Sequence, residues 1–303
     1  MSVWTNEHSR TFKRAPAEVF AALTEPAQLR KWLAEHVAIE PRSGADFRFW
    51  GRHTYGVLRP EQATQRITRW QPASLLAFSW SIDGVASEVT ITLAPAPTDS
   101  VVDQGAESGE VGTQLTLQHA FAALPAIPRA KDLIDDLWRM ALGNLDVHLR
   151  GGAGILLPDF TDSKPEVRVS IYIEAPRAQV FKALIEPEKL NQWLASAASV
   201  EPRAGGRYTY GWNYSVAGRE VAGGPTRILE IVPNEKLVTD WPDWRGDATV
   251  PKTTVTWLLE SVGKGTRVTL IHSGFTRTTD ISDYTPGWAE FLDKLKALAE
   301  KPK

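Results

Sequence analysis

No cysteine occurs among the 303 residues, which excludes disulfides, thiolate metal sites, iron–sulfur clusters and cysteine nucleophiles together and fits a reducing compartment. Surplus positive charge is missing too: 34 Lys and Arg stand against 36 Asp and Glu, so nothing is left over to neutralise nucleic-acid phosphates or anionic lipid heads. Neither nucleic acid nor a membrane is expected as a partner. No run approaches the roughly 18 apolar residues of a membrane span. Met1 to Arg14 is polar, without the apolar stretch of about 7 to 15 residues that a signal peptide needs. A cytoplasmic location is the expectation. The six histidines are scattered, with no H-E-x-x-H, so neither a metal nor any other cofactor is expected. G-x-S-x-G, P-loop and G-x-G-x-x-G are all absent, and hydrolase, nucleotide and dinucleotide chemistry lack their mechanical parts.

What is present is the same sequence twice. Slid against itself by 161 positions, so that Val19 meets Val180, the chain matches Phe20, Leu23, Glu25, Pro26, Leu29, Trp32 and Leu33 to Phe181, Leu184, Glu186, Pro187, Leu190, Trp193 and Leu194. Glu40-Pro41-Arg42 and Gly44 then meet Glu201-Pro202-Arg203 and Gly205, and Pro72, Leu76 and Trp80 meet Pro233, Leu237 and Trp241. Farther on the offset slips, with Gly112, Thr113, His119 and Phe121 resembling Gly265, Thr266, His272 and Phe275. The unit far exceeds the 20 to 50 residues of a solenoid repeat, so each copy is expected to be a domain with its own core. The expected division is 1–150 for the first copy, a Gly- and Pro-containing linker over 151–165, and 166–303 for the second. Within the first copy, Pro95 to Gly112 has little to bury and reads as an exposed hairpin loop.

The second copy gives the cleaner pattern. Val167, Val169, Ile171 and Ile173 alternate with polar residues, the period of a half-buried strand. Pro176 and Pro187 each open a short apolar-periodic segment, which predicts two short helices. Gly205-Gly206 marks a turn before Tyr208, Tyr210 and Trp212, an alternation read as one strand. Strands are predicted around Leu237 to Trp241, Val255 to Trp257 and Val268 to His272. A closing helix is predicted from Thr285-Pro286, with Trp288, Phe291, Leu292, Leu295 and Leu298 on one stripe. Its match in the first copy carries Leu133, Leu137, Met140, Leu142 and Leu145. Strands followed by a helix give an α+β layer fold, a curved antiparallel sheet covered by the last helix with space for a cavity between them.

Pro16, Val19, Phe20, Leu23, Pro26, Leu29, Trp32 and Gly44, together with His272-Ser273-Gly274-Phe275 and Gly287-Trp288, resemble the START/Bet v 1-like superfamily. Within it they are most similar to the group related to the C-terminal domain of the Hsp90 ATPase activator. The resemblance spans both copies. It implies a helix-grip fold in each, with an internal pocket that relatives use for apolar small molecules, and it raises an Hsp90-type chaperone as a second class of partner. Fold alone does not fix an activity.

On this basis the expected ligand-binding residues are Phe78, Trp80, His119, Tyr210, Trp212, Trp241, Trp257 and His272. His119 and His272 continue apolar alternations and so should face the closing helix, either to orient a ligand oxygen or as core histidines satisfied by the backbone. The tryptophans suit flat apolar ligands, and equally suit filling a small core. Arg48 lies on the face opposite Phe47 and Phe49 and is expected to be solvated, while Asp240, Asp243 and Asp247 are read as a loop cluster. Three functions stand together: noncatalytic binding of apolar or aromatic small molecules, an Hsp90-type interaction module, and a cyclase- or hydratase-type enzyme with His119 or His272 as proton carrier. A monomer is expected, because duplication already supplies a second domain.

Overall fold

A computed structural model describes residues 4–96, 112–152, 155, 157–216 and 218–301. Most of the expected hairpin loop over Pro95–Gly112 lies outside the described residues. The chain divides into two compact units, 1–161 and 162–303.

The first unit begins with β1 (Trp4–Phe12), α1 (Pro16–Thr24) and α2 (Pro26–Trp32), then a two-stranded ladder of β2 (His36–Ile39) and β3 (Phe47–Trp50). A loop with one 3-10 turn leads to β4 (Ile67–Gln71), β5 (Leu75–Ile82), β6 (Val85–Pro95) and β7 (Thr113–Phe121), and α3 (Ala130–Leu149) closes the unit. The main sheet runs β1-β7-β6-β5-β4, every pair antiparallel. Alternation is kept strictly on β7, where Thr113, Leu115, Leu117, His119 and Phe121 are buried beneath the helices.

The second unit repeats this order: β8 (Val167–Ile173), α4 (Arg177–Ile185), α5 (Pro187–Leu190), β9 (Ser199–Val200) and β10 (Tyr208–Thr209). Next come a hairpin of β11 (Trp212–Val216) and β12 (Arg219–Gly223), then β13 (Ile228–Val232), β14 (Lys236–Trp241), β15 (Thr253–Val262), β16 (Gly265–Ser273) and α6 (Tyr284–Ala299). Its sheet, β13-β14-β15-β16-β8, has the topology of the first.

Local chemistry explains the shared elements. Glu25 and Glu186 are extended, each ending one helix and starting the next, because the following proline disfavours a helical conformation in the residue before it. The indole of Trp32 donates to Ala22 O at 2.9 Å and that of Trp193 to Ala183 O at 3.0 Å, fixing the helix pair in each unit. The β4–β5 and β13–β14 turns place Ala73 (φ 56°) and Asn234 (φ 64°) in the same left-handed conformation.

The units part company after the glycine turn. Tyr208, Tyr210 and Trp212 do not form the single strand expected: Gly211 takes φ 71° beside Ala197, breaks the run and starts the β11–β12 hairpin. In the first unit a loop over 51–63 stands there instead. Helix α6 also starts at Tyr284, ahead of the expected Thr285-Pro286 boundary.

Candidate ligand site

His119 and His272 sit on β7 and β16, fully buried, and each is held by the same relay. The Trp138 indole donates to His119 Nδ1 (3.0 Å), which places the imidazole proton on Nε2, within 2.8 Å of Ser87 Oγ; Ser87 Oγ donates onward to Trp80 O (2.6 Å). In the second unit Trp288 donates to His272 Nδ1 (3.2 Å), His272 Nε2 lies 2.7 Å from Thr253 Oγ1, and Thr253 Oγ1 donates to Trp241 O (3.1 Å). Burial pushes both imidazoles down to about 3, so both are neutral near pH 7. With both ring nitrogens engaged, neither is poised to carry a proton. Sequence reading anticipated their inward direction and missed their partners, which lie on other strands and on the closing helix.

A cavity of about 30 Å³ opens in the first unit between the sheet and α3. That is room for about one water and roughly a tenth of the smallest usual ligand site. The interior is therefore much fuller than a ligand-sized pocket requires, because Trp32, Phe49, Trp80 and Trp138 put their rings there. From α3, Leu137, Met140, Ala141 and Asn144 complete the wall. The outer side is made by His53, Thr54 and Tyr55 with Pro158 and Phe160.

Pro158 and Phe160 fall inside the stretch expected as linker, yet they pack on the first unit. His53 Nδ1 donates to Pro158 O (2.7 Å), the Phe160 amide donates to Arg52 O (2.8 Å), and the Phe160 ring meets Tyr55 edge-on with centroids 5.6 Å apart. The loop can bend back to receive this strap because Gly51 takes φ 112°, where an added Cβ would strike Glu35 at 2.7 Å.

Three residues of the wall carry a polar atom with no hydrogen-bond partner among the described residues: Thr54 Oγ1, Trp80 Nε1 and Asn144 Nδ2. Their residues are 3%, 5% and 4% exposed. Buried polar atoms are normally paired, so such a group calls for an explanation. In the second unit the equivalent of Trp80, Trp241, donates instead to Tyr284 Oη at 2.9 Å. Tyr284 lies four residues before Trp288; four residues before Trp138 stands Ile134, which has no hydroxyl. Trp212 donates to Leu194 O (2.9 Å) and stacks on Phe291 (5.7 Å). Among the described residues Thr239 Oγ1 and Trp257 Nε1 are also without a partner in that core.

Of the eight expected ligand-binding residues, Trp80 lines the cavity. His119 stacks against Trp80 at 5.7 Å, and Phe78 is spent on Phe47 and Phe49. Tyr210, Trp212 and Trp241 gather with ring centroids 4.8–6.2 Å apart, Trp241 meets His272 at 5.5 Å, and Trp257 meets Trp288 at 5.9 Å. Asn144 was legible as a polar residue within the apolar stripe of α3, whereas Thr54, Tyr55 and Phe160 carry no periodic signal. Arg48 is not free in solvent: its guanidinium donates to Ala63 O (3.0 Å) and Pro60 O (2.6 Å) and tethers the loop. Asp240 stands apart from Asp243 and Asp247. Burial alone would raise its pKa, but Lys252 (2.8 Å), the Thr226 hydroxyl and the Thr226 and Arg227 amides outweigh that and lower it.

Among the described residues no three His, Asp or Glu are gathered as metal ligands, and no helix is long and apolar enough to cross a membrane. A family model described as Activator of Hsp90 ATPase homolog 1-like protein matches residues 13–150 and again 174–300. No curated protein matches the chain. Among solved structures, an AHSA1-like protein from Rhizobium etli is 30% identical, with 46% of this chain and 84% of that one covered and a TM-score of 0.35. A protein from Mesorhizobium loti is 24% identical over 46% of this chain and 99% of its own, with a TM-score of 0.38. The di-domain ARO/CYC protein BexL from the BE-7585A biosynthetic pathway is 16% identical, covering 99% of this chain and 100% of its own, with a TM-score of 0.36.

Proposed function

The chain belongs to the family of activator of Hsp90 ATPase homolog 1-like proteins, as a tandem pair of its domains, and on that premise we propose that its first unit binds an apolar or aromatic small molecule between the sheet and α3. The observation that carries this reading is the cavity itself, with aromatic walls, polar atoms lacking partners and an outer side closed by a strap rather than by the sheet or helix. The His53–Pro158 and Phe160–Arg52 hydrogen bonds and the Phe160–Tyr55 ring contact are among the contacts that hold this closure, and each such bond contributes about 1 kcal/mol net. Displacing Pro158 and Phe160 widens the cavity without unpicking a strand or a helix.

Proton-transfer catalysis draws no support from the histidines, whose nitrogens are satisfied within the fold. Titration of the full chain with the neutral fluorophore N-phenyl-1-naphthylamine, followed by tryptophan quenching and native mass spectrometry, tests the binding reading. Phe160→Ala should tighten uptake about tenfold, equivalent to about 1.4 kcal/mol, by removing the ring that blocks the outer side. Unchanged, negligible uptake in both proteins sinks the proposal. Stimulation of an Hsp90 ATPase by the same preparation is the outcome that would favour the interaction-module reading in its place.

A further inference from the structure

We infer that the first unit's cavity recognises a neutral carbonyl oxygen on an apolar frame, through Trp80 Nε1, Asn144 Nδ2 and Thr54 Oγ1. The inference rests on the binding reading above and gives it a ligand class.

Two of the three orphaned atoms are N–H donors with no acceptor capacity, and the third is a hydroxyl able to donate. They belong to residues on three separate elements, β5, α3 and the loop after β3, all of which line this cavity. What they lack in common is an acceptor. A carbonyl oxygen has two lone pairs and no proton to place, so it can take donors from two sides at once. An ammonium or other cation has nothing to accept its protons from the two N–H groups. A carboxylate fails for a different reason: Asp, Glu, Lys and Arg are absent from the walls among the described residues. An anion buried there would find no lysine or arginine among the described wall residues, which is costly in an apolar site. The remainder of the wall is aromatic and aliphatic, which suits the carbon skeleton of a ketone.

The second unit supplies the contrast. Trp241 has its N–H acceptor built in, as the Tyr284 hydroxyl at 2.9 Å. At the corresponding helix position the first unit has Ile134. One copy satisfies this indole from within and the other leaves it to a guest.

The test uses the full chain and two probes of the same shape, 1-acetylnaphthalene and 1-isopropenylnaphthalene, in which a methylene group replaces the carbonyl oxygen. The ketone should bind at least about tenfold more tightly, and its C=O stretch should move to lower frequency on binding. Thr54→Val with Asn144→Leu should lower affinity for the ketone while leaving the hydrocarbon's unchanged, shrinking the ratio by about tenfold. Equal affinity for both probes, or a bound ketone with an unshifted carbonyl stretch, overturns the inference while the binding reading stands. Uptake of neither probe overturns both. A crystal structure in which only an ordered water occupies the three atoms, with the ketone bound elsewhere, also overturns it; the infrared measurement keeps the test decisive if the double variant fails to fold.

Discussion

Trp80 and Trp241 lie on matching strands, pack against matching histidines and receive a hydroxyl at their carbonyls in the same way, yet their indole N–H groups meet different fates. The relay from the closing helix through histidine to the strand carbonyl is the same in both units although its hydroxyl is serine in one and threonine in the other. The architecture of the sheet–helix joint is therefore common property. The space beside it is where the copies differ, because the loop and strap of the first unit enclose a cavity where the second builds a hairpin and lays Trp212 on Phe291.

The relay is the first place to test that equivalence, and it carries the largest effects. His119→Ala and His272→Ala each leave a tryptophan N–H unpaired beside an imidazole-sized void, while the hydroxyl keeps its bond to the strand carbonyl, and each should cost about 3 to 5 kcal/mol by denaturant titration. Equal costs support one structural role duplicated. A large cost in one unit with near-neutrality in the other breaks the comparison.

Acid offers a milder probe of both histidines. Their folded pKa is lowered to about 3 from an ordinary value of 6.5, so between those limits the unfolded chain binds protons that the folded chain refuses. Stability is therefore full above about pH 6.5 and falls as the pH drops toward 3. At pH 5 each histidine should contribute a loss of about 2 kcal/mol relative to pH 7. Replacing either residue with a nontitrating one should remove its share of the slope, measured as unfolding free energy against pH; a slope unchanged by both substitutions would contradict the buried, neutral assignment.

How much of this was open to sequence reading follows from the range of each signal. Helices marked by proline, strands marked by alternation and the inward side of His119 are local patterns, and the fold carries them. The relay joins Trp138, Ser87 and Trp80 across three elements, and no spacing encodes such a meeting. Which tryptophans line the cavity was illegible for a similar reason: tryptophans spaced for a pocket are also spaced for a filled core, and ring packing decides between them only in three dimensions. The strap was hidden by composition, since Pro158 to Phe160 looks like a linker until Arg52 and His53 are seen to hold it.

Tyr284→Phe then tests the difference between the units directly. Removing the hydroxyl orphans Trp241 Nε1 while the ring stays in place, and should cost about 1 to 2 kcal/mol. It also gives the second unit an orphaned indole N–H like that of Trp80, so any gain in ketone uptake by the variant sharpens the assignment of that one donor.

The smallest effect runs the other way and is the most discriminating. Thr54 Oγ1 has no partner in the described structure, so in the free protein its burial is a penalty rather than a contribution. Thr54→Val keeps the shape and removes the hydroxyl, and should stabilise the ligand-free chain by about 1 kcal/mol. Most substitutions at a buried site lose stability. A gain here, paired with weaker ketone binding, is what a residue kept for a guest would show, because a structural hydroxyl would lose stability and leave the probe ratio alone.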